Sequence, residues 1–333
     1  MNITVCVGGN KTISAARLGV KLAEYLQTQG HAVRVLAPKG KANVFTQVPL
    51  KEYIALTTTK KLAAMFKDST DKVISVMNLR ACEAAVTAGI PFVYVEYDNF
   101  KEDKPAKNKK VLLQKATRVL VLGDSNKPLN KKLYGSNAVR VSAPAVWVEH
   151  YNYNKPACFK KENNILAVGP LAKESGLDTL LKTWARLAPA HKTWHLTLVG
   201  DGTQKAALNK FIVKNHLQDS TEIVPANSDV YSLLRNADIF AYPALNPACA
   251  DVLLDAMASK LPCVACESAA ATSLITNGVN GVIVNAGEEE PFTIALDDMM
   301  VNWGKRVGMA VEASKLKDKH PFETFVKAVV EVF

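Results

Sequence analysis

Between Asn164 and Gly287, apolar runs of strand length alternate with helical segments, and glycines stand where strands end. The runs NILAVG, HLTLVG, NADIFAYP, LPCVA and GVIVNAG are separated by stretches such as LDTLLKTWARL and DVLLDAMASK. The pattern reads as βαβ units, and hence a doubly wound α/β domain with a mostly parallel sheet. Residues 3–146 follow the same grammar. ITVCVGG is a strand ending in a glycine turn, and the following helix places Ala16, Leu18, Val20, Leu22, Ala23 and Leu26 at helical spacing, with Gly30 as its terminator. HAVRVLAP, KVISVMNL, IPFVYVEY, RVLVLG and AVRVSAPAV read as further strands.

At 333 residues the chain exceeds one ordinary core and suits two such domains. The polar, aromatic segment WVEHYNYNKPACFKKENN lacks periodicity and reads as the linker. The expected division is 1–155, 156–315 and a last piece, 316–333. In that piece PFETFVKAVVEVF carries Phe322, Phe325, Val326, Val329 and Val330 on one helical face. No run reaches the ~20 apolar residues of a membrane span. The start MNITVCVGGN has no charged segment before a long apolar one, so the expectation is a cytoplasmic protein.

The six cysteines give no disulfide framework. Cys263 and Cys266 form a CxxC, but the run LPCVAC has strand character and no second CxxC follows, so both read as small core hydrophobes. No metal site is expected. Charge is unevenly placed. Residues 1–150 hold 23 Lys and Arg against 11 Asp and Glu, a net +12, and the remainder holds 18 against 20, a net −2. The basic excess concentrates between Lys101 and Lys132. It reads either as a solvated face or as the footprint of an anionic partner, a membrane surface among them. Nucleic acid is not expected, because no aromatic residues interleave with the lysines.

In a doubly wound sheet the ligand lies beyond the carboxyl ends of the strands, which singles out loops 8–12, 169–176, 200–203, 224–229 and 243–251. Taken in order, phrases of residues 164–287 resemble the donor half of family-4 retaining glycosyltransferases, proteins of the GT-B fold. The resemblance implies two Rossmann-like doubly wound domains facing across a cleft, a final helix crossing back onto the first domain, a nucleotide-sugar (UDP-sugar) donor, and a glycan or lipid-linked acceptor. No separate cofactor is expected. The activity implied is transfer of a hexose in cell-surface polysaccharide synthesis, the alternative being an inactive GT-B protein that binds a partner.

Carried over residue by residue, the resemblance assigns the donor site to Gly169, Lys173, Gly200, Asp201, Pro225, Ala226, Ala250, Asp251 and Asp255. Asp255, in the Asp-Ala-Met-Ala context, falls where the family places a ribose-binding Glu. Backbone groups of Pro225 and Ala226 would meet a uracil-like edge. Gly8 and Gly9 fit the family's glycine-rich turn after the first strand. Glu96, Tyr97 and Asp98 fall near the family's His that faces the sugar, and could bind an acceptor hydroxyl. The sequence departs from the family at Pro170 and Ser175, where an Arg and a Lys grip the diphosphate, and at Pro247, where a Glu faces the transferred sugar. Lys173 is the cation left to approach the diphosphate.

Overall fold

The computed structural model describes residues 1–8, 13–37, 53–55, 58–97, 108–123, 129, 131–144, 163–226, 229–244 and 251–331. The chain divides into two compact units, Met1–Val146 together with Pro321–Phe333, and Trp147–His320.

The first unit is built on seven parallel strands: β1 (Asn2–Val7), β2 (Ala32–Ala37), β3 (Tyr53–Ala55), β4 (Lys72–Val76), β5 (Phe92–Tyr97), β6 (Arg118–Leu122) and β7 (Ala138–Val141). Their order is β3-β2-β1-β4-β5-β6-β7. Helices α1 (Ile13–Thr28), α2 (Thr59–Ser69), α3 (Leu79–Ala88), α4 (Lys109–Gln114) and α5 (Lys131–Tyr134) connect them, and a last helix, Phe322–Val330, returns to this unit. Val5, Cys6 and Val7 are successive and all buried, because a parallel sheet with helices on both faces leaves neither face to water. Local signals set the helix ends. Thr58 and Asn78 accept hydrogen bonds from the backbone N–H groups of Lys61 and Ala81, and Gly89 closes α3 with a left-handed φ of 73°. The returning helix buries Phe322, Phe325, Val326 and Val329, with the Phe322 ring edge-on to Tyr25 of α1 at 6.0 Å and under the Lys21 ammonium.

The second unit has six parallel strands: β8 (Asn164–Val168), β9 (His195–Val199), β10 (Thr221–Val224), β11 (Ile239–Tyr242), β12 (Cys263–Cys266) and β13 (Val282–Val284), in the order β10-β9-β8-β11-β12-β13. Its helices are α6 (Leu177–Leu187), α7 (Lys205–Lys214), α8 (Val230–Asn236), α9 (Asp251–Ala258), α10 (Ala269–Leu274), α11 (Glu289–Val301), α12 (Trp303–Ser314) and α13 (Leu316–Lys319); the returning helix is α14. On α6 the residues Leu177, Leu180, Leu181, Trp184 and Leu187 form the buried stripe that meets Leu196, Leu198, Phe292 and Met299 in the core. Arg306 is buried, donates to the carbonyls of Met299 and Met300 at the end of α11, and lies over Trp194.

The units divide at Val146/Trp147 and His320/Pro321, where the sequence reading sets 155/156 and 315/316. The second difference has a packing cause, because α13 lies on α9 and stays with the second unit. Residues 145–162, and with them nearly all of the sequence-assigned linker, lie outside the described residues. Cys263 and Cys266 both stand in β12, three residues apart. Strand alternation sends them to opposite faces, so the CxxC cannot close on one metal ion.

Candidate functional site

In the second unit the strand order reverses between β8 and β11, the two neighbours from which the chain proceeds to opposite sides of the sheet. A crevice opens at the carboxyl ends of such a pair, and ligands of doubly wound sheets bind there. The walls here are the loop after β8 and the start of α9.

Hydrogen bonds clamp the loop after β8. Gly169 N–H donates to Val199 O at 3.0 Å, Leu171 N–H to Asp201 O at 3.0 Å, and Gln204 N–H to Leu171 O at 2.9 Å. Backbones come so close that side chains are excluded: a Cβ on Gly200 would lie 2.0 Å from Gly169 O, and one on Gly176 would lie 2.1 Å from Pro243 O. Gly200 is therefore a packing residue. Gly169 differs, since a Cβ there would meet nothing within 4 Å. Among the described residues no neighbour explains its missing side chain, and Gly169 directly follows the carboxyl end of β8 at the strand reversal. Lys173 opens the 3-10 turn Lys173–Ser175, exposed and without an ion pair to any described residue. Pro170 is exposed and Ser175 half-buried, so neither supplies the positive charge a diphosphate needs.

Asp201 is exposed but engaged by its own chain. Its Oδ2 accepts from Ala226 N–H at 3.1 Å and its Oδ1 pairs with Lys205, tying the loops after β9 and β10 together. Ala226 N–H is thus engaged and Pro225 has none, so the stretch offers a base its carbonyl oxygens rather than a donor. The expected contact of Pro225 and Ala226 with a uracil-like edge would have to use their carbonyl oxygens.

On α9, Asp251 stands at the first position and Asp255 one turn later on the same side of the helix. Asp255 is only 4% exposed, which excludes a surface carboxylate. Its carbonyl receives the N–H and the hydroxyl of Ser259. The helix N-terminus that carries these carboxylates follows β11, so it lies on the edge where β8 ends. Helix N-termini present N–H groups suited to phosphate oxygens. Ala250, like Pro247, lies outside the described residues.

The first unit has the same edge at β1 and β4. Gly8 N–H donates to Val76 O, Met77 N–H donates to Val95 O, both at 2.8 Å, and a Cβ on Gly8 would lie 2.5 Å from Met77 O. Gly8, Met77 and Glu96 thus follow one another across three adjacent strand ends, with Met77 held at φ 52°. Asn78 closes the base of this crevice. Its side chain donates to Val7 O and accepts from Ala81 N–H. Sequence reasoning missed Asn78, although an Asn just before LRACEAAV is a helix-start signal.

Glu96 is not an open acceptor-side carboxylate. It is buried, and Lys109 Nζ donates to its Oε1 at 2.9 Å. Lys109 is only 3% exposed and lies over the Tyr134 ring. The sequence reading counts Lys109 in the basic run that is either a solvated face or the footprint of an anionic partner; its place is a buried ion pair, because an ammonium buried over the Tyr134 ring requires a counter-charge. Gly9, Asp98, Lys101, Lys104 and Lys107 lie outside the described residues, as does the side chain of Tyr97.

A separate cleft of about 400 Å³ opens among Asn164, His195, Asp219, Thr221, Glu222 and Asn236. These residues sit at the amino ends of β8, β9 and β10, on the edge opposite the crevice. Among the described residues no group of three or more His, Cys, Asp or Glu could hold a metal ion, and no helix is long and apolar enough to cross a membrane.

Residues 152–316 match the family described as "Glycosyl transferases group 1". An uncharacterized glycosyltransferase of Haemophilus influenzae is 25% identical over 336 residues, covering 93% of both chains. Among solved structures, Anabaena HepE in complex with UDP and glucose superposes with a TM-score of 0.77 at 16% identity, over 99% of this chain and 98% of that one. WaaG, a glycosyltransferase involved in lipopolysaccharide biosynthesis, does so with a TM-score of 0.69 at 16% identity, over 98% of this chain and 99% of that one.

Proposed function

We propose that this chain, whose residues 152–316 match the group 1 glycosyl transferases, moves a hexose from a UDP-sugar to a glycan or lipid-linked acceptor in cell-surface polysaccharide synthesis, with retention at the transferred carbon. The fold is GT-B, and both sheets have the strand reversal that makes a ligand crevice. The observation that carries the reading is the convergence, at the reversal of the second sheet, of an unfilled Gly169, the N-terminus of α9 and the buried Asp255. In this reading Asp255 accepts from the ribose hydroxyls. The N–H groups at the start of α9 and the ammonium of Lys173 face the diphosphate, and stabilising that leaving group is the chief catalytic task.

A thermal-shift series with UDP, GDP and UDP-sugars tests the donor site. Ligand at a hundredfold its Kd adds about 2.7 kcal/mol of stability, several degrees for a chain of this size. Asp255→Ala is expected to abolish the shift given by UDP while leaving the unliganded protein folded. An undiminished UDP shift in that variant removes the donor-site assignment. The second reading, a catalytically inactive binding protein, is favoured by Pro170 and Ser175, which leave the diphosphate loop without its two cations. It expects UDP binding without sugar transfer.

The acceptor half of the proposal extends to an anionic membrane. Lys110, Lys115, Lys131 and Lys132 are exposed on the first unit, whose half of the sequence carries the net +12. Each basic residue near an anionic surface contributes about 1 kcal/mol. The protein is expected to pellet with vesicles containing phosphatidylglycerol at low salt and to be released at high salt. Pelleting that ignores lipid charge, or none at all, ends the membrane proposal.

A further inference from the structure

On the face of the second sheet turned away from α6 and α7, the amino ends of β8, β9 and β10 carry a polar row. Ile165, Leu196 and Leu198 point into the core shared with those two helices. Strand alternation sends Asn164, His195 and Thr197 the other way, and the pairings Asn164↔His195 and Thr197↔Glu222 put Glu222 beside them. A parallel sheet between helices is normally apolar on both faces. Here three adjacent strands present an amide, a hydroxyl and a carboxylate, and these line the cleft of about 400 Å³ that reaches Asn236 at the end of α8. Small-molecule sites run from about 300 to about 1,000 Å³, so the cleft is large enough for a small ligand.

Hydrogen-bond capacity along this row is unevenly used. Thr197, 2% exposed, forms the floor, and its hydroxyl stands between Asn164 Oδ1 at 3.2 Å and Glu222 Oε1 at 3.1 Å. A hydroxyl has one proton to donate, so one of these two oxygens goes without it. With the amide turned over, an Asn164 N–H meets the hydroxyl and the Asn164 oxygen faces away from it. In both arrangements the row keeps an amide N–H and two acceptor oxygens with no partner among the described residues. A donor beside acceptors suits a ligand hydroxyl, which gives one hydrogen bond and receives others. Charge narrows the ligand further. Asp219, Glu222 and His195 line the cleft and no Lys or Arg does, so phosphates and carboxylates are repelled. A metal ion finds no set of three ligands among the described residues. The class that remains is neutral and rich in hydroxyls.

We infer that this cleft binds a hexose unit of a glycan. It lies at the far edge of the sheet from the donor crevice, about 16 Å away along the five residues of β8. A glycan held there stays with the protein while its growing end is elsewhere. The site shares no residue with the donor assignment and does not depend on it; only the choice of a glycan over a free sugar rests on the proposed reaction.

Saturation-transfer difference NMR of the full chain, with glucose, galactose, mannose, maltotriose and cellotriose as probes, reads binding directly. At least one hexose and one trisaccharide are expected to receive saturation, with a Kd on the order of 1 mM. Glu222→Ala is expected to weaken binding at least about tenfold, whereas Glu222→Gln, whose amide oxygen still accepts from a hydroxyl, is expected to stay within about threefold of wild type. Both variants are expected to keep the wild-type thermal midpoint and the UDP shift, because Glu222 is exposed and stands on the opposite edge from the crevice. Silence from all five probes overturns the proposal, as does a signal undiminished in Glu222→Ala. Equal losses in Glu222→Gln and Glu222→Ala overturn the neutral ligand in favour of a cation. Binding of hexoses with exclusion of both trisaccharides overturns the glycan in favour of a free sugar. A wild type that binds sugar but shows no UDP shift counts against the donor reading alone.

Discussion

Three residues at the crevice of the second unit show how one residue type takes different work from its surroundings. Asp201 is exposed and spends its carboxylate on Ala226 N–H and Lys205, whereas Asp251 and Asp255 are buried on one side of a helix at the strand reversal. The Asp-Ala-Met-Ala context singles out Asp255 through the family resemblance, and the structure buries it on α9. The sequence could not separate Asp201 from a ligand residue, because the partner that occupies it lies 25 positions away across two loops. Cysteine supplies a prediction at this scale. Burial among the helices of the first unit pushes the Cys82 thiol up from 9.0 to about 12. The unfolded chain therefore loses that proton first. Stability linked to Cys82 is complete below pH 9 and declines as pH rises towards 12, by at most about 1.4 kcal/mol per pH unit. Urea midpoints measured from about pH 8.5 to about pH 10.5 are expected to fall less steeply in Cys82→Ala than in wild type. Parallel curves would show that the thiol carries none of the alkaline loss.

At the scale of elements, the strands and most helices were readable because burial on both faces of a parallel sheet writes itself as a continuous apolar run. What escaped reading was the joining of α4 to β5 by Glu96 and Lys109. They stand 13 residues apart, Glu96 before the basic stretch and Lys109 inside it as one lysine among many. Nothing in local periodicity marks which of these lysines turns inward. Burial of both partners makes the consequence of breaking the pair large. Lys109→Met leaves a carboxylate without its counter-charge in an apolar setting and is expected to lower unfolding free energy by about 3–5 kcal/mol, while Glu96→Leu/Lys109→Met recovers most of it. Chemical denaturation of the two variants checks this. A double variant as unstable as the single one would mean that the pair's hydrogen bonds, and not the isolated charge, set the cost. The same burial removes Lys109 from the face offered to anionic partners and leaves Lys110, Lys115, Lys131 and Lys132 to carry it.

At the scale of the molecule, the two sheets share a plan: the first strand of each lies inside, with earlier-numbered neighbours on one side and later ones on the other. Alternation in the sequence announced the plan twice. It did not announce where the chain passes from one unit to the other, because α13 and α14 are both short amphipathic helices, separated only by His320 and Pro321. Their partners decide: α13 lies on α9, and α14 buries four apolar side chains in the first unit, with Phe322 against α1. At about 1.5–3 kcal/mol for each large apolar side chain, losing α14 exposes a sizeable share of that unit's stability. A chain ending at Lys319 is expected to lose the first unit in a separate, earlier thermal transition while the second unit keeps its own midpoint. Differential scanning calorimetry distinguishes this from one unchanged transition, which would show that α14 adds nothing.

The return of α14 also fixes an order of events during synthesis. The first unit leaves the ribosome first, yet Phe322 and Phe325 emerge only after every strand of the second unit has been made. The second unit is contiguous in sequence and can close on itself while its predecessor still waits for a missing wall. For that interval the nascent chain carries an open apolar groove beside α1, and speed of elongation through the last third of the message governs how long it stays uncovered.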